Sequence, residues 1–260
     1  MNKIGFNIKN ETVGEVSAKC YKPVEETPVR SVVTVRFDCG REYPYYNEKF
    51  NLKIGDKVFV DGKLYGKLGV VVDVTTHFKV SRSIYKDVIA KLDFNISGSF
   101  KKCGNYMLAK GVDIVSKQQI ISWFVPPFVP KNDTDKPEIF LTGEGYSCKI
   151  GELNCDENII DNAFYSLEND ELKAVVVNNG EGTAVIEGNN THVVEFKISS
   201  NQITDIYCDC VSPHFCKHCA AMCILLSSFV KNEYIESSNS FFAVNSEWFF
   251  KIIENKNINI

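Results

Sequence analysis

One stretch constrains this chain more than any other: Tyr207–Leu226, YCDCVSPHFCKHCAAMCILL. Five of the ten cysteines and two of the four histidines fall between Cys208 and Cys223. The core spacing is Cys208-x-Cys210, five intervening residues, then Cys216-x-His218. Zinc takes four such ligands in a tetrahedron, with Zn–S about 2.3 Å and Zn–N about 2.0 Å. Two cysteines one residue apart at a bent strand end can place both sulfurs on one ion. Val211–Phe215, with Pro213 inside it, forms the loop that brings the second pair back. Past His218, the residues Ala220, Ala221, Met222, Ile224, Leu225 and Leu226 are apolar and mostly helix-favouring. The first pair is thus expected at a strand end and the second at a helix start, a ββα zinc module.

This arrangement resembles the SWIM-type zinc finger, whose pattern is C-x-C, a loop, C-x-H and a helix that opens on small residues. Cys208, Cys210, Cys216 and His218 stand where its four ligands stand, and Ala220–Ala221 match the helix start. The resemblance, extended over the strand-rich residues before the motif, reaches back to about Leu172. It implies one structural Zn2+ per chain and a binding module for nucleic acid or for protein, of the kind found in transposase-related and helicase-associated proteins. It does not imply catalysis.

Three neighbours compete for the ligand role. Cys219 offers a Cys216-x-x-Cys219 knuckle without histidine, Cys223 lies one helical turn beyond it, and His214 lies inside the loop. Free cysteines commonly behave as small buried hydrophobes, which is the expectation for Cys219 and Cys223. His214 is expected to face solvent. No secretory signal precedes the chain, so reduced thiols and a cytoplasmic location are expected rather than disulfides. Zinc binding to small fingers becomes folding energy, so its removal is expected to loosen the loop and helix around residues 205–230 while the barrel-like N-terminal domain survives.

Net charge is −4 but unevenly spread. Residues 1–91 hold 16 Lys+Arg against 11 Asp+Glu, whereas residues 137–209 hold 3 against 14. An acidic stretch directly before the zinc loop repels phosphates at short range. Any nucleic-acid surface is therefore expected on the basic half, on Lys53, Lys57, Lys63 and Lys67. No run approaches the roughly 20 apolar residues of a membrane helix, and no membrane partner is expected.

The chain is expected to be α+β and mostly β. Residues 1–29 read as an N-terminal arm, with Glu11–Ala18 either a short strand or an extended segment of it. A small β-barrel-like domain with an appended helix is assigned to 30–130. Its strands are Ser31–Phe37, Glu42–Tyr46, Lys57–Asp61 and Gly69–Val74, punctuated by glycines. The run LKIGDKVFV, followed by GVV, resembles a KOW or Src-homology-3-like barrel. Ile84, Val88 and Leu92 recur at i, i+4 and i+8 and predict a short helix. Ser116, with Gln119 three residues on, has capping-box form, and the helix it opens should stop before Pro126-Pro127.

Residues 131–137 read as a linker, and 138–260 as a second domain. It opens on a strand-like run over Glu138–Ile150 and a short helix around Ile159–Leu167. An antiparallel meander follows over Leu172–Val177, Thr183–Glu187, His192–Ile198 and Ile203–Tyr207, with a positive-φ turn at Asn178-Asn179-Gly180. It leads into the zinc finger at about 203–227 and into C-terminal helices. The last of these is capped by Ser246, carries Trp248 and Ile252, and is expected to dock on the zinc module.

Signatures of enzymes are missing from the sequence: there is no G-x-S-x-G, Walker loop, dinucleotide fingerprint or HExxH. His77 and His192 read as isolated strand residues. Asp209 sits between two ligands, but a four-ligand zinc leaves no position for water. A non-enzymatic protein with no small-molecule substrate is expected. Its partner is either nucleic acid, met through the basic half, or a protein such as a helicase, docked by the zinc module.

Overall fold

The computed structural model describes residues 28–253, apart from 80, 95, 97, 112–113, 133–134, 136–144, 213 and 236–239. All but the last two residues of the expected arm over 1–29, most of the 131–137 linker and the first part of the Glu138–Ile150 run lie outside the described residues. What is described is α+β and mostly β.

Five strands close a barrel in the order β1-β2-β5-β3-β4. They are β1 (Ser31–Phe37), β2 (Glu42–Asn47), β3 (Lys57–Val60), β4 (Gly69–Thr75) and β5 (Lys86–Lys91). β1 alternates, burying Val33, Val35 and Phe37 and turning Thr34 and Arg36 outward, as a strand on a barrel wall must. β2 and β5 pair in parallel; the other pairs are antiparallel. In place of the helix expected from Ile84, Val88 and Leu92 there is a single 3-10 turn, Arg82–Ile84, followed by β5, which holds only Val88 of the three. Those three residues share no face: Ile84 is exposed, Val88 is in the barrel core, and Leu92 joins a different apolar cluster. Closing the barrel between β2 and β3 overrides a three-residue periodicity.

Eight further strands form one antiparallel sheet in the order β6-β7-β13-β9-β10-β11-β12-β8. They are β6 (Lys101–Cys103), β7 (Tyr106–Lys110), β8 (Tyr146–Lys149), β9 (Leu172–Asn178), β10 (Glu181–Glu187), β11 (Thr191–Ser199), β12 (Gln202–Cys208) and β13 (Phe241–Asn245). The expected meander is β9 to β12. Asn179 and Gly180 both have positive φ, at 52° and 83°, as the tight turn between β9 and β10 requires.

The division expected at 131–137 does not coincide with a boundary between the sheets. β6 and β7 precede it, yet β7 pairs with β13 from Tyr106↔Asn245 to Lys110↔Phe241. Local sequence carries no signal of a partner strand so distant.

Both faces of the sheet centre are buried, which explains the unbroken apolar runs AVVV and FFAV. On one face Leu172, Val175, Val177, Phe241 and Ala243 meet α2 (Glu157–Glu168) and α3 (Lys217–Lys231). On the other, Ala174, Val176, Phe242 and Val244 meet α1 (Lys117–Phe124) and α4 (Ser246–Ile253), along with Phe59 of the barrel. Ser116 caps α1, its Oγ accepting from the Gln119 N–H at 3.1 Å. α4 is capped by Asn245 rather than Ser246: the Trp248 N–H donates to Asn245 Oδ1 at 3.1 Å. Nor does α4 meet the cysteine-rich face. Trp248 stacks within 4.5 Å of Phe124 and 5.3 Å of Trp123, on the barrel side.

Candidate metal centre

β12 ends at Cys208 and α3 begins just after Cys216, so the motif joins the sheet to the helix lying on it. Cys216 is the residue before the first helical turn. It is extended, at φ −108° and ψ 171°, and its side chain makes no capping hydrogen bond. The sulfur is therefore left to point at the cluster, where the positive end of the helix dipole favours a thiolate. His218, one residue into the helix, is buried and faces the same way. Ala220 and Ala221 are fully buried; their small side chains let α3 lie close on the sheet.

The ligand atoms of Cys208, Cys210, Cys216 and His218 all lie within 4.8 Å of one another. His218 Nδ1 is 3.6 Å from the sulfurs of both Cys208 and Cys216. A tetrahedral ion with the bond lengths above separates sulfur from nitrogen by about 3.5 Å. The four groups can thus hold a metal ion with little rearrangement, and Nδ1 is the histidine atom that would bind it. Without an ion the cluster shares protons unequally. Hydrogen bonds from the Cys208 and Cys219 thiols hold the Cys216 thiol far below its usual range, and the bond to Cys216 pushes Cys208 up.

Of the competing residues, Cys219 lies nearest. Its sulfur is buried 3.6 Å from Cys216 Sγ but outside the four-residue group. Cys223 is also buried, and its sulfur meets Cys148 of β8 rather than the cluster. His214 is exposed in the loop.

Two residues around the site are not legible from spacing. Asp209, between the first two cysteines, turns back toward β11. Its Oδ1 accepts from the Val193 N–H at 3.0 Å and lies 3.1 Å from His192 Nδ1. It thereby fixes the strand end that carries Cys208 and Cys210. The His192 ring in turn lies 4.4 Å from the His218 ring, centroid to centroid. Residues like these orient the ligands of a metal. The signal that could have found them is strand register: β11 runs antiparallel to β12 with Val194 opposite Cys208.

The four basic residues expected to meet nucleic acid all lie on the barrel, in β3 and the loops on either side of it. Lys53 lies in the loop before β3 and is exposed; Lys57 opens β3 and is half-buried. Lys63 and Lys67 are exposed in the β3–β4 loop, which also exposes Tyr65. No helix among the described residues is long and apolar enough to cross a membrane. Compared with known proteins, the chain matches no family model, no curated protein and no solved structure.

Proposed function

We propose that Cys208, Cys210, Cys216 and His218 hold one structural zinc ion in a SWIM-type module, and that the protein is a non-enzymatic binding protein built on it. The observation that carries this reading is the spacing of the ligand atoms, with one imidazole nitrogen 3.6 Å from two sulfurs. Three thiolates and an imidazole suit zinc, and four protein ligands leave no position for a reacting water. Asp209, the nearest carboxylate in sequence, is engaged by Val193 and His192. The ion's role would be to fasten the end of β12 to the start of α3.

Elemental analysis of the purified chain tests this. One zinc per chain is expected, lost in Cys216→Ser and His218→Ala and kept in Cys219→Ala and Cys223→Ala. Full zinc in both ligand variants sinks the assignment. Loss in Cys219→Ala with retention in His218→Ala points to an all-cysteine set.

For the partner we favour nucleic acid on the barrel, because the β3–β4 loop exposes Tyr65 between Lys63 and Lys67. Exposed aromatics beside cations stack bases, and lysines meet phosphates. Affinity for duplex DNA should fall by about 0.9 log unit per log unit of salt for each phosphate contact. Charge reversal at Lys53, Lys63 and Lys67 should weaken binding to all sequences alike. If nothing binds even at low salt, and the full-length chain recovers a protein partner only while its zinc is present, the protein is an adaptor instead.

A further inference from the structure

Two of the cysteines outside the metal group, Cys148 and Cys223, face each other. Cys148, at the third position of edge strand β8, points at α3, and its sulfur lies 3.6 Å from that of Cys223. The two residues are 75 positions apart in the chain. They differ in access. Cys223 is 2% exposed. Cys148 lines an open cleft of about 520 Å³, together with Cys155, His214 and Phe215. One turn further along α3, the Gly151 N–H donates to Ser227 Oγ at 2.9 Å, and Ser227 Oγ–H donates to the Cys223 carbonyl at 2.7 Å. These bonds hold the residues after β8 in fixed register with the helix, so the two sulfurs stay opposed.

We propose that Cys148 and Cys223 form a reversible thiol–disulfide couple, in which Cys148 meets the oxidant in the cleft and Cys223 resolves the adduct from behind. A disulfide has sulfurs about 2.05 Å apart, so the pair must close by about 1.5 Å. β8 can supply this movement. Among the described residues it is the edge strand, with β12 as its one neighbour, and that pairing already carries a register shift between Ile203 and Ile206. The hydrogen bond from Cys223 outweighs burial and lowers the Cys148 thiol below its ordinary range, which favours the thiolate as attacking group.

With a small-molecule disulfide as oxidant, the Cys148 thiolate attacks one sulfur of oxidised glutathione. A Cys148–glutathione mixed disulfide forms and one glutathione thiolate leaves. Cys223 then loses its proton to that thiolate and attacks the Cys148 sulfur, displacing the second glutathione as thiolate. Two protein thiols are oxidised by two electrons, and one disulfide is reduced to two glutathiones. Couples of this kind suit compartments where structural disulfides do not persist. The ligand cysteines take no part.

The test treats the full-length protein, as purified with its metal, with oxidised glutathione, and follows thiols, cross-linked peptides and zinc together. Beyond any glutathione taken up by the exposed Cys39, two thiols per chain should disappear and return with dithiothreitol. Peptide mapping should join the segment holding Cys148 to that holding Cys223, with the zinc content unchanged. Cys223→Ser should retain glutathione on Cys148, and Cys148→Ser should leave Cys223 reduced. Because the mapping is done on the unsubstituted chain, a variant that misfolds does not remove the test. The couple is overturned if Cys148 links to Cys155, if neither thiol reacts, or if ligand cysteines oxidise with zinc release while Cys148 and Cys223 stay reduced. A Cys148–Cys223 link in a protein that never contains zinc would support the couple and sink the zinc assignment.

Discussion

Chelating the metal should open the loop around it and leave the helix standing. α3 is held to the sheet by Met222, Leu225, Leu226 and Phe229, which are 0%, 6%, 0% and 2% exposed. Burying one such side chain is worth about 1.5–3 kcal/mol, so the four contribute about 6–12 kcal/mol, an upper bound because the unfolded chain already hides some of that surface. The loop between the ligand pairs is anchored far more weakly, by the half-buried Phe215, whose ring lies 5.4 Å from that of Tyr146 on β8. Val211 is 89% exposed, and Ser212 and His214 hydrogen-bond to each other. Beyond that contact its order would come from the ion, whose binding is worth about 10–16 kcal/mol in finger peptides. Hydrogen exchange followed by mass spectrometry, with and without chelator, reads the difference. Amides of 209–218 should approach unprotected rates. Those of 222–230 should lose less than about tenfold in protection, or about 1.4 kcal/mol. This is narrower than the loosening of 205–230 that spacing alone suggests. Joint loss of protection along all of α3 and β12 would refute the reasoning by making the metal the helix's main support. Unchanged exchange over 209–218 would refute a bridging metal altogether.

Three other outcomes are expected. In Gly182→Ala the new Cβ would lie 2.2 Å from two atoms of the Phe196 ring. Displacing that buried ring should cost about 1–3 kcal/mol, seen as a lower urea midpoint with unchanged slope. Tyr106→Phe removes the buried hydroxyl that donates to the Leu172 carbonyl at 3.0 Å and should cost about 1–3 kcal/mol. Burial first, and then Asp170, raise the Tyr106 pKa from its ordinary 10.0. The neutral hydroxyl is thus the folded form, and its contribution is complete below pH 10.0 and lost as pH rises toward the folded value. The alkaline fall in stability should accordingly be smaller in Tyr106→Phe. Asp209→Ala should weaken zinc binding about 10–100-fold in competition with a chromophoric chelator. Asp209→Asn, which keeps an acceptor for the Val193 N–H, should lose less.

What could be read beforehand was what the chain encodes locally. The four ligand residues span eleven positions, so their types and spacing are enough to bring them together. The β9–β12 meander is likewise a run of neighbours joined by short turns, and Asn179-Gly180 announces one of them. The misreadings all concern distant partners. Ile84, Val88 and Leu92 match a helix until β2 and β3 leave a gap in the barrel for β5. Residues 101–124 look like an appendage of the barrel until β13 claims β7. Ser246 has the chemistry of a cap, but the strand ends one residue earlier and puts Asn245 there. His192 and Asp209 gain their meaning only from the register of β11 on β12, which no residue in either strand declares. The Cys148–Cys223 contact joins positions 75 apart and has no sequence signature at all.

β13 lies between β7 and β9, hydrogen-bonded to both, and it is the last strand described in the chain. A ribosome makes β7 first, and Phe241 emerges 131 residues after Lys110. At about 5–20 residues per second, roughly 7–26 s pass between them. The barrel sequence is finished before that interval and the meander is finished within it, but until its end β7, and β9 once it is made, each have an open edge. Open edges of apolar strands invite pairing with other chains. A message cut after α3 would encode every metal ligand and still leave the centre of the sheet unfilled. The product of such a message should aggregate however much zinc is supplied, because the piece that makes the sheet whole arrives last.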